Sequence, residues 1–173
     1  MFKNESALKN IYLCGFSFSG KTTTGKILAR LMKKKFIDTD AVIAGRRKSS
    51  ACEVLSRIGE KKFRKMEKAL IKKLARRKNL VVALGGGILP GPRLLKSGIC
   101  IFLNRSFPLI VRCLSASSCG RPMLYARTFK NRKKIALRLF KKRLKYYKKA
   151  QLEIKFSKKN QKEVAGLIME KLK

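Results

Sequence analysis

Between Gly15 and Thr22 the chain reads Gly-Phe-Ser-Phe-Ser-Gly-Lys-Thr, directly after the apolar run Ile11-Tyr12-Leu13-Cys14 and before a helical pattern that opens at Lys21. A strand, then G-x-x-x-x-G-K-[ST], then a helix is the context in which this motif cradles phosphate. The glycines let successive backbone N–H groups face one anion, and the helix adds its positive N-terminal end. Lys21 supplies a full charge, and Thr22 offers a hydroxyl to a divalent cation. A turn that merely joined strand to helix would need no Lys-Thr after its second glycine. Gly15, Ser17, Ser19, Gly20, Lys21, Thr22 and Thr23 are therefore the candidate nucleotide-binding residues.

The rest of the chain alternates strands with helices, which predicts an α/β fold with a mainly parallel sheet covered on both faces. Strands are expected at 10–14, 36–38, 80–84, 99–103 and 152–156. Helices are expected at 21–34, 59–77, 92–96, 108–115, 131–149 and 161–172, with short helices between 40 and 57. The 21–34 helix would bury Ile27, Leu28, Leu31 and Met32, and the 59–77 helix would align Phe63, Met66, Leu70 and Leu74. A length of 173 residues with 45% hydrophobic content fits one domain spanning 1–173. The first ten residues hold no apolar run that would serve as a leader or membrane span, so a cytoplasmic protein is expected.

The five cysteines show no C-x-x-C spacing and histidine is absent, which argues against a zinc site or a disulfide framework. Cys14 and Cys100 lie in apolar strand patterns and read as packing residues. Lysine and arginine number 45 against 9 acids, a net charge of +36. Such a surface adheres to polyanions non-specifically through counterion release. It also keeps an RNA-binding protein open as an alternative.

The same imbalance makes the acids informative. In many enzymes with this loop an aspartate closes the neighbouring apolar strand and holds magnesium through water. Here Leu80 to Leu84 runs into Gly85-Gly86-Gly87, and no acid occurs between Glu67 and Glu153. The only aspartates are Asp38 and Asp40. In an extended segment the two share a face and would enter one crevice, one serving a metal and the other an acceptor hydroxyl. One of them could instead cap the helix that follows.

Two arginines are also unusual. At about 100° per residue, Arg143 falls on the apolar stripe of Ala136, Phe140 and Tyr147. Either an anionic ligand pairs with it, or its stem packs while its head reaches water. Glu67 lies on the Phe63 face and reaches Arg64 one turn earlier, which would fix that guanidinium as a second anion grip.

Taken together, the Gly15–Thr22 loop, Phe36-Ile37-Asp38-Thr39-Asp40, Gly59-Glu60 with Phe63-Arg64 and Glu67, Gly85-Gly86-Gly87, Cys119-Gly120-Arg121-Pro122-Met123-Leu124, and Arg143 before Tyr146-Tyr147 resemble the shikimate kinases. The resemblance covers nearly the whole chain. It implies a three-layer P-loop kinase fold, with a five-stranded sheet flanked by helices, a mobile lid at about 115–130 and a shikimate-binding region at about 40–67. It also implies magnesium-dependent transfer of the ATP γ-phosphoryl to the 3-hydroxyl of shikimate, within chorismate and aromatic amino acid biosynthesis. Asp38 and Thr22 would hold Mg2+. Asp40 would bind the acceptor hydroxyl and take its proton, and Lys21 and Arg121 would act on the transferring phosphoryl. Arg64 and Arg143 would clamp the shikimate carboxylate, with Gly86 and Gly87 offering backbone N–H groups. Arg112 and the loop at 158–160 match the region that sandwiches adenine, both more weakly. A monomer is expected, with ATP and shikimate as its partners and no specific nucleic acid or membrane.

Phe16 and Phe18 are bulky for such a loop, and the excess charge is not a family trait. The nearer alternative is another small P-loop kinase, acting on gluconate or a nucleoside monophosphate. The RNA-binding alternative expects aromatics among exposed charge, whereas Phe140 and Tyr147 lie on the apolar stripe.

Overall fold

The apolar run before the glycine loop forms β1, Asn10–Cys14, every residue of which is buried. The computed structural model describes residues 10–45, 51–116, 128–157 and 159–173. Within them β1 is followed by α1 (Lys21–Leu31), β2 (Lys35–Asp38), α2 (Thr39–Ala44), α3 (Ala51–Ala75) and β3 (Leu80–Ala83). Next come α4 (Pro92–Ser97), β4 (Ile99–Arg105), α5 (Phe107–Ser115), α6 (Phe129–Tyr147), β5 (Leu152–Phe156) and α7 (Gln161–Leu172).

The sheet order is β2-β3-β1-β4-β5, and all four pairings are parallel. Continuous apolar runs suit strands buried on both faces. Alternate residues of β1 divide between the layers. Tyr12 and Cys14 join Leu74, Leu94, Ile110, Ala136 and Tyr147 on one face. Ile11 and Leu13 join Leu28, Ala29, Val164 and Ile168 on the other. Helices α3 to α6 thus cover one side and α1 with α7 the other, giving the expected three layers. Because β1 lies between β3 and β4, the loop leaving it opens at the carboxyl edge of the sheet, where open α/β folds bind ligands.

Several local expectations need correction. Helix α1 stops at Leu31, and that leucine is 55% exposed, because the helix turns its small residues Gly25 and Ala29 to the sheet. The break expected ahead of the 59–77 helix is there, at Gly59 (φ 78, ψ 159), where a shorter helix from Ala51 meets the longer one across a kink; the two together are α3. Its inner row is Phe63, Glu67, Leu70 and Leu74, which leaves Met66 exposed. Cys14 and Cys100 pack in the sheet as expected; burial raises both thiols, Cys100 to about 12.

Candidate active site

The phosphate-type loop is fastened from within. Lys21 Nζ donates to the carbonyls of Gly15 (2.9 Å) and Phe16 (2.8 Å) and to Ser19 Oγ (3.3 Å). The Ser19 N–H closes a turn onto the Phe16 carbonyl at 3.2 Å. Gly20 begins α1 without a side-chain cap, so no side chain takes the first-turn N–H groups that the motif aims at an anion. A cavity over the loop is lined by Ser17, Gly20, Lys21, Thr22 and Thr23, together with Asp38 and Asp40. Gly15 and Ser19 are not part of its wall, and Ser19 is buried.

Phe16 does not obstruct the loop. Its ring leaves for the core, 1% exposed, and meets Phe140 edge-on at 5.6 Å.

The two aspartates reach the cavity by a route different from the one expected. Helix α2 starts at Thr39, so they are not successive same-face positions of one strand. Asp38 ends β2 and caps α2, its Oδ1 accepting from the N–H groups of Asp40 (2.9 Å) and Ala41 (3.3 Å). Its Oδ2 accepts from Thr22 Oγ1 at 2.6 Å. Capping and the link to Thr22 therefore fall to the same residue. Asp40 follows in the first turn of α2. Between them Thr39, fully buried, accepts the Gly85 N–H on Oγ1 at 2.8 Å and ties the triple glycine to this turn.

A second cavity adjoins the first. Asp40, Phe63, Arg64, Glu67, Gly87 and Arg143 line it, and it shares Ser17, Asp40 and Gly86 with the loop cavity. Arg64 Nη1 donates to Glu67 Oε2 at 2.5 Å, and Nη2 lies 3.3 Å from Glu60 Oε1. Burial pushes the Glu67 carboxyl up, against the opposing pull of Arg64. Burial works to lower Arg64, but the bonds to Glu67 and Glu60 outweigh it and hold its pKa above the ordinary value. A side chain at Gly87 would run into the Arg64 guanidinium, which accounts for a glycine there.

Arg143 Nη1 donates to the Gly86 carbonyl at 2.9 Å, and the guanidinium lies 5.9 Å from the Phe16 ring centroid. Tyr147 donates its hydroxyl to the same carbonyl at 2.6 Å; burial, above all, raises its pKa. Sequence reasoning placed Tyr147 on the stripe of Arg143 but saw only packing. The i to i+4 spacing of two donors on one face was the available signal.

The other described sequence candidates line neither cavity, although Gln161, next to Asn160, packs against Gly20 of the phosphate loop. Arg112 is exposed on α5 and lines neither cavity. Asn160 caps α7, accepting from the N–H groups of Lys162 and Glu163. Arg121, most of the expected lid and Lys158 fall outside the described residues.

Comparison with known proteins bears on this arrangement. A family model described as shikimate kinase matches residues 18–173. A shikimate kinase of Caldanaerobacter subterraneus subsp. tengcongensis is 37% identical over 162 residues, 91% of this chain and 92% of that protein. The solved shikimate kinase from Acinetobacter baumannii, in complex with shikimate, superposes with a TM-score of 0.85 at 28% identity, covering 96% of this chain and 93% of that one. A gluconokinase from Sinorhizobium meliloti reaches a TM-score of 0.60 at 16% identity, covering 95% and 91%, a likeness of fold alone. With two adjoining cavities that share Asp40, and a family match that runs from position 18 within the phosphate loop to the last residue, the chain belongs to the shikimate kinase family.

Proposed function

We propose that this chain transfers the γ-phosphoryl group of ATP to the 3-hydroxyl of shikimate, giving shikimate 3-phosphate and ADP, with Asp40 as the residue that joins the two substrates. The observation that carries the assignment of roles is the sharing of Ser17, Asp40 and Gly86 between the loop cavity and the two-arginine cavity. An acceptor seated between Arg64 and Arg143 would present a hydroxyl to Asp40 beside the phosphate loop. Asp40 accepts the hydroxyl proton as the acceptor oxygen attacks the γ-phosphorus. The bond from that phosphorus to the bridging oxygen breaks, and ADP leaves with the electron pair.

Recognition of the acceptor carboxylate falls to Arg64 and Arg143. Arg64 is oriented by its acids and Arg143 by Gly86, so neither must be ordered when substrate arrives. Lys21, whose Nζ rests on the Gly15 and Phe16 carbonyls, and the first turn of α1 are assigned to the phosphates, and Arg121 to phosphoryl charge stabilisation.

The Thr22 hydroxyl and the Asp38 carboxylate, already 2.6 Å apart, form an all-oxygen pair that fits Mg2+. Among the described residues no group of three or more His, Cys, Asp or Glu side chains gathers, so the remaining oxygens of such an ion would be those of the nucleotide and water. When bound, Mg2+ neutralises charge on the phosphate oxygens. No helix among the described residues is long and apolar enough to cross a membrane. The reading includes a cytoplasmic monomer whose basic surface holds polyanions only non-specifically.

The test is ADP release with ATP and Mg2+, with shikimate, gluconate or a nucleoside monophosphate as acceptor. Shikimate alone should stimulate release. Stimulation by gluconate or a nucleotide in place of shikimate would favour a different acceptor in the same cavity.

A further inference from the structure

The phosphate loop contains an unusual backbone position. Phe18 has φ 66, in the left-handed region, which bulky side chains rarely occupy. Gly20 has φ 83, so two left-handed residues fall within three positions of the loop, the kind of alternation that turns N–H groups toward an anion. A glycine adopts such an angle freely, whereas a phenylalanine must be held in it.

The Phe18 ring packs against the core, and a side chain outside the loop bonds its carbonyl. Arg105, the last residue of β4, donates from Nη1 to the Phe18 carbonyl at 2.9 Å and lies 3.5 Å from Cys113 Sγ on α5. Arg105 does not line the loop cavity, so the Phe18 carbonyl is bonded to a group behind the loop. Its Nε–H is buried without a hydrogen-bond partner, and no carboxylate pairs with Arg105 among the described residues. The guanidinium thus leaves one donor unmet while serving the loop. Rotation of the 18–19 peptide would bring a carbonyl oxygen toward the phosphate oxygens, where like partial charges repel.

We propose that Arg105 is a positioning residue for the nucleotide: by holding the Phe18 carbonyl away from the phosphates it keeps the loop in its anion-binding form, and its unneutralised charge adds to the field there. The proposal rests on the reading that this loop binds ATP. It gives β4 a part in nucleotide binding that no loop residue supplies.

The experiment measures steady-state constants and direct ATP binding for wild type, R105M and R105K. R105M should raise the KM and Kd for ATP about tenfold, the scale of a lost hydrogen bond to a charged group, and leave the KM for shikimate unchanged. R105K should recover part of the loss. In the F18G background, where glycine takes the left-handed angle unaided, R105M should cost appreciably less than in wild type. Unchanged ATP constants, an equal rise for both substrates, or the same cost in both backgrounds would overturn the proposal. Should R105M not fold, the same cycle with R105K and R105Q decides by the same criteria. Wild-type protein that fails to bind ATP would instead overturn the reading of the loop itself.

Discussion

The carboxylate of Asp40 occupies the space that a side chain at Gly85 would need. The first glycine after β3 therefore serves the aspartate rather than the substrate. A methyl group there must displace Asp40 or the backbone. Gly85→Ala is expected to lower kcat about 100-fold, the scale of a small misplacement of a reacting group, with the KM for ATP within about threefold. Steady-state kinetics check this, and a near-normal kcat would show that Asp40 has room to spare.

Two donors, Arg143 and Tyr147, converge on the Gly86 carbonyl. Tyr147→Phe removes one and leaves the carbonyl satisfied by the other, so the stability cost should be modest, about 1 kcal/mol. Thermal unfolding should fall by roughly 2–4 °C. Because the arginine alone then carries the carbonyl, the KM for shikimate should rise several-fold while that for ATP holds. An equal rise in both would mean the tyrosine acts only through general packing.

Glu67 carries a signature in pH. Burial raises its pKa in the folded chain, although Arg64 opposes the shift. Between its unfolded and folded values the native state holds more protons than the unfolded one, so stability falls as pH rises through that window. Glu67→Gln removes the titration. The unfolding free energy of wild type minus that of E67Q, from urea titrations, should decline as pH climbs from the ordinary glutamate value upward. A difference that grows with pH would mean that the attraction of Arg64 outweighs burial.

Elements made from an apolar run, a strict alternation or a capped apolar stripe were legible in the sequence: β1, β5 and α7 lie where their residues predict. Helix faces were less so. The hydropathy of Leu31 and Met66 pointed inward, but packing chose Gly25 and Ala29 on α1 and the ion-paired Glu67 on α3. In the site, the scarcity of acids singled out Asp38 and Asp40, yet the extended geometry offered for them was wrong, because α2 starts between them. The roles of Thr39 and Tyr147 were not legible, since each hydroxyl bonds a backbone group far along the chain, the Gly85 N–H 46 positions away and the Gly86 carbonyl 61 positions away. Local periodicity carries no trace of such pairings. Phe16 looked obstructive in sequence only because its ring direction is set by the core and by Phe140.

Asp40 places one carboxylate in the wall of both cavities. The most direct measurement is shikimate-dependent ADP release by Asp40→Asn, made alongside ATP binding to the same sample. Loss of the proton acceptor should lower turnover by about 10²–10⁴-fold, the range for a general base, while ATP affinity stays within about threefold of wild type. A variant that turns over shikimate at a near-normal rate would contradict the account and remove Asp40 from the chemistry.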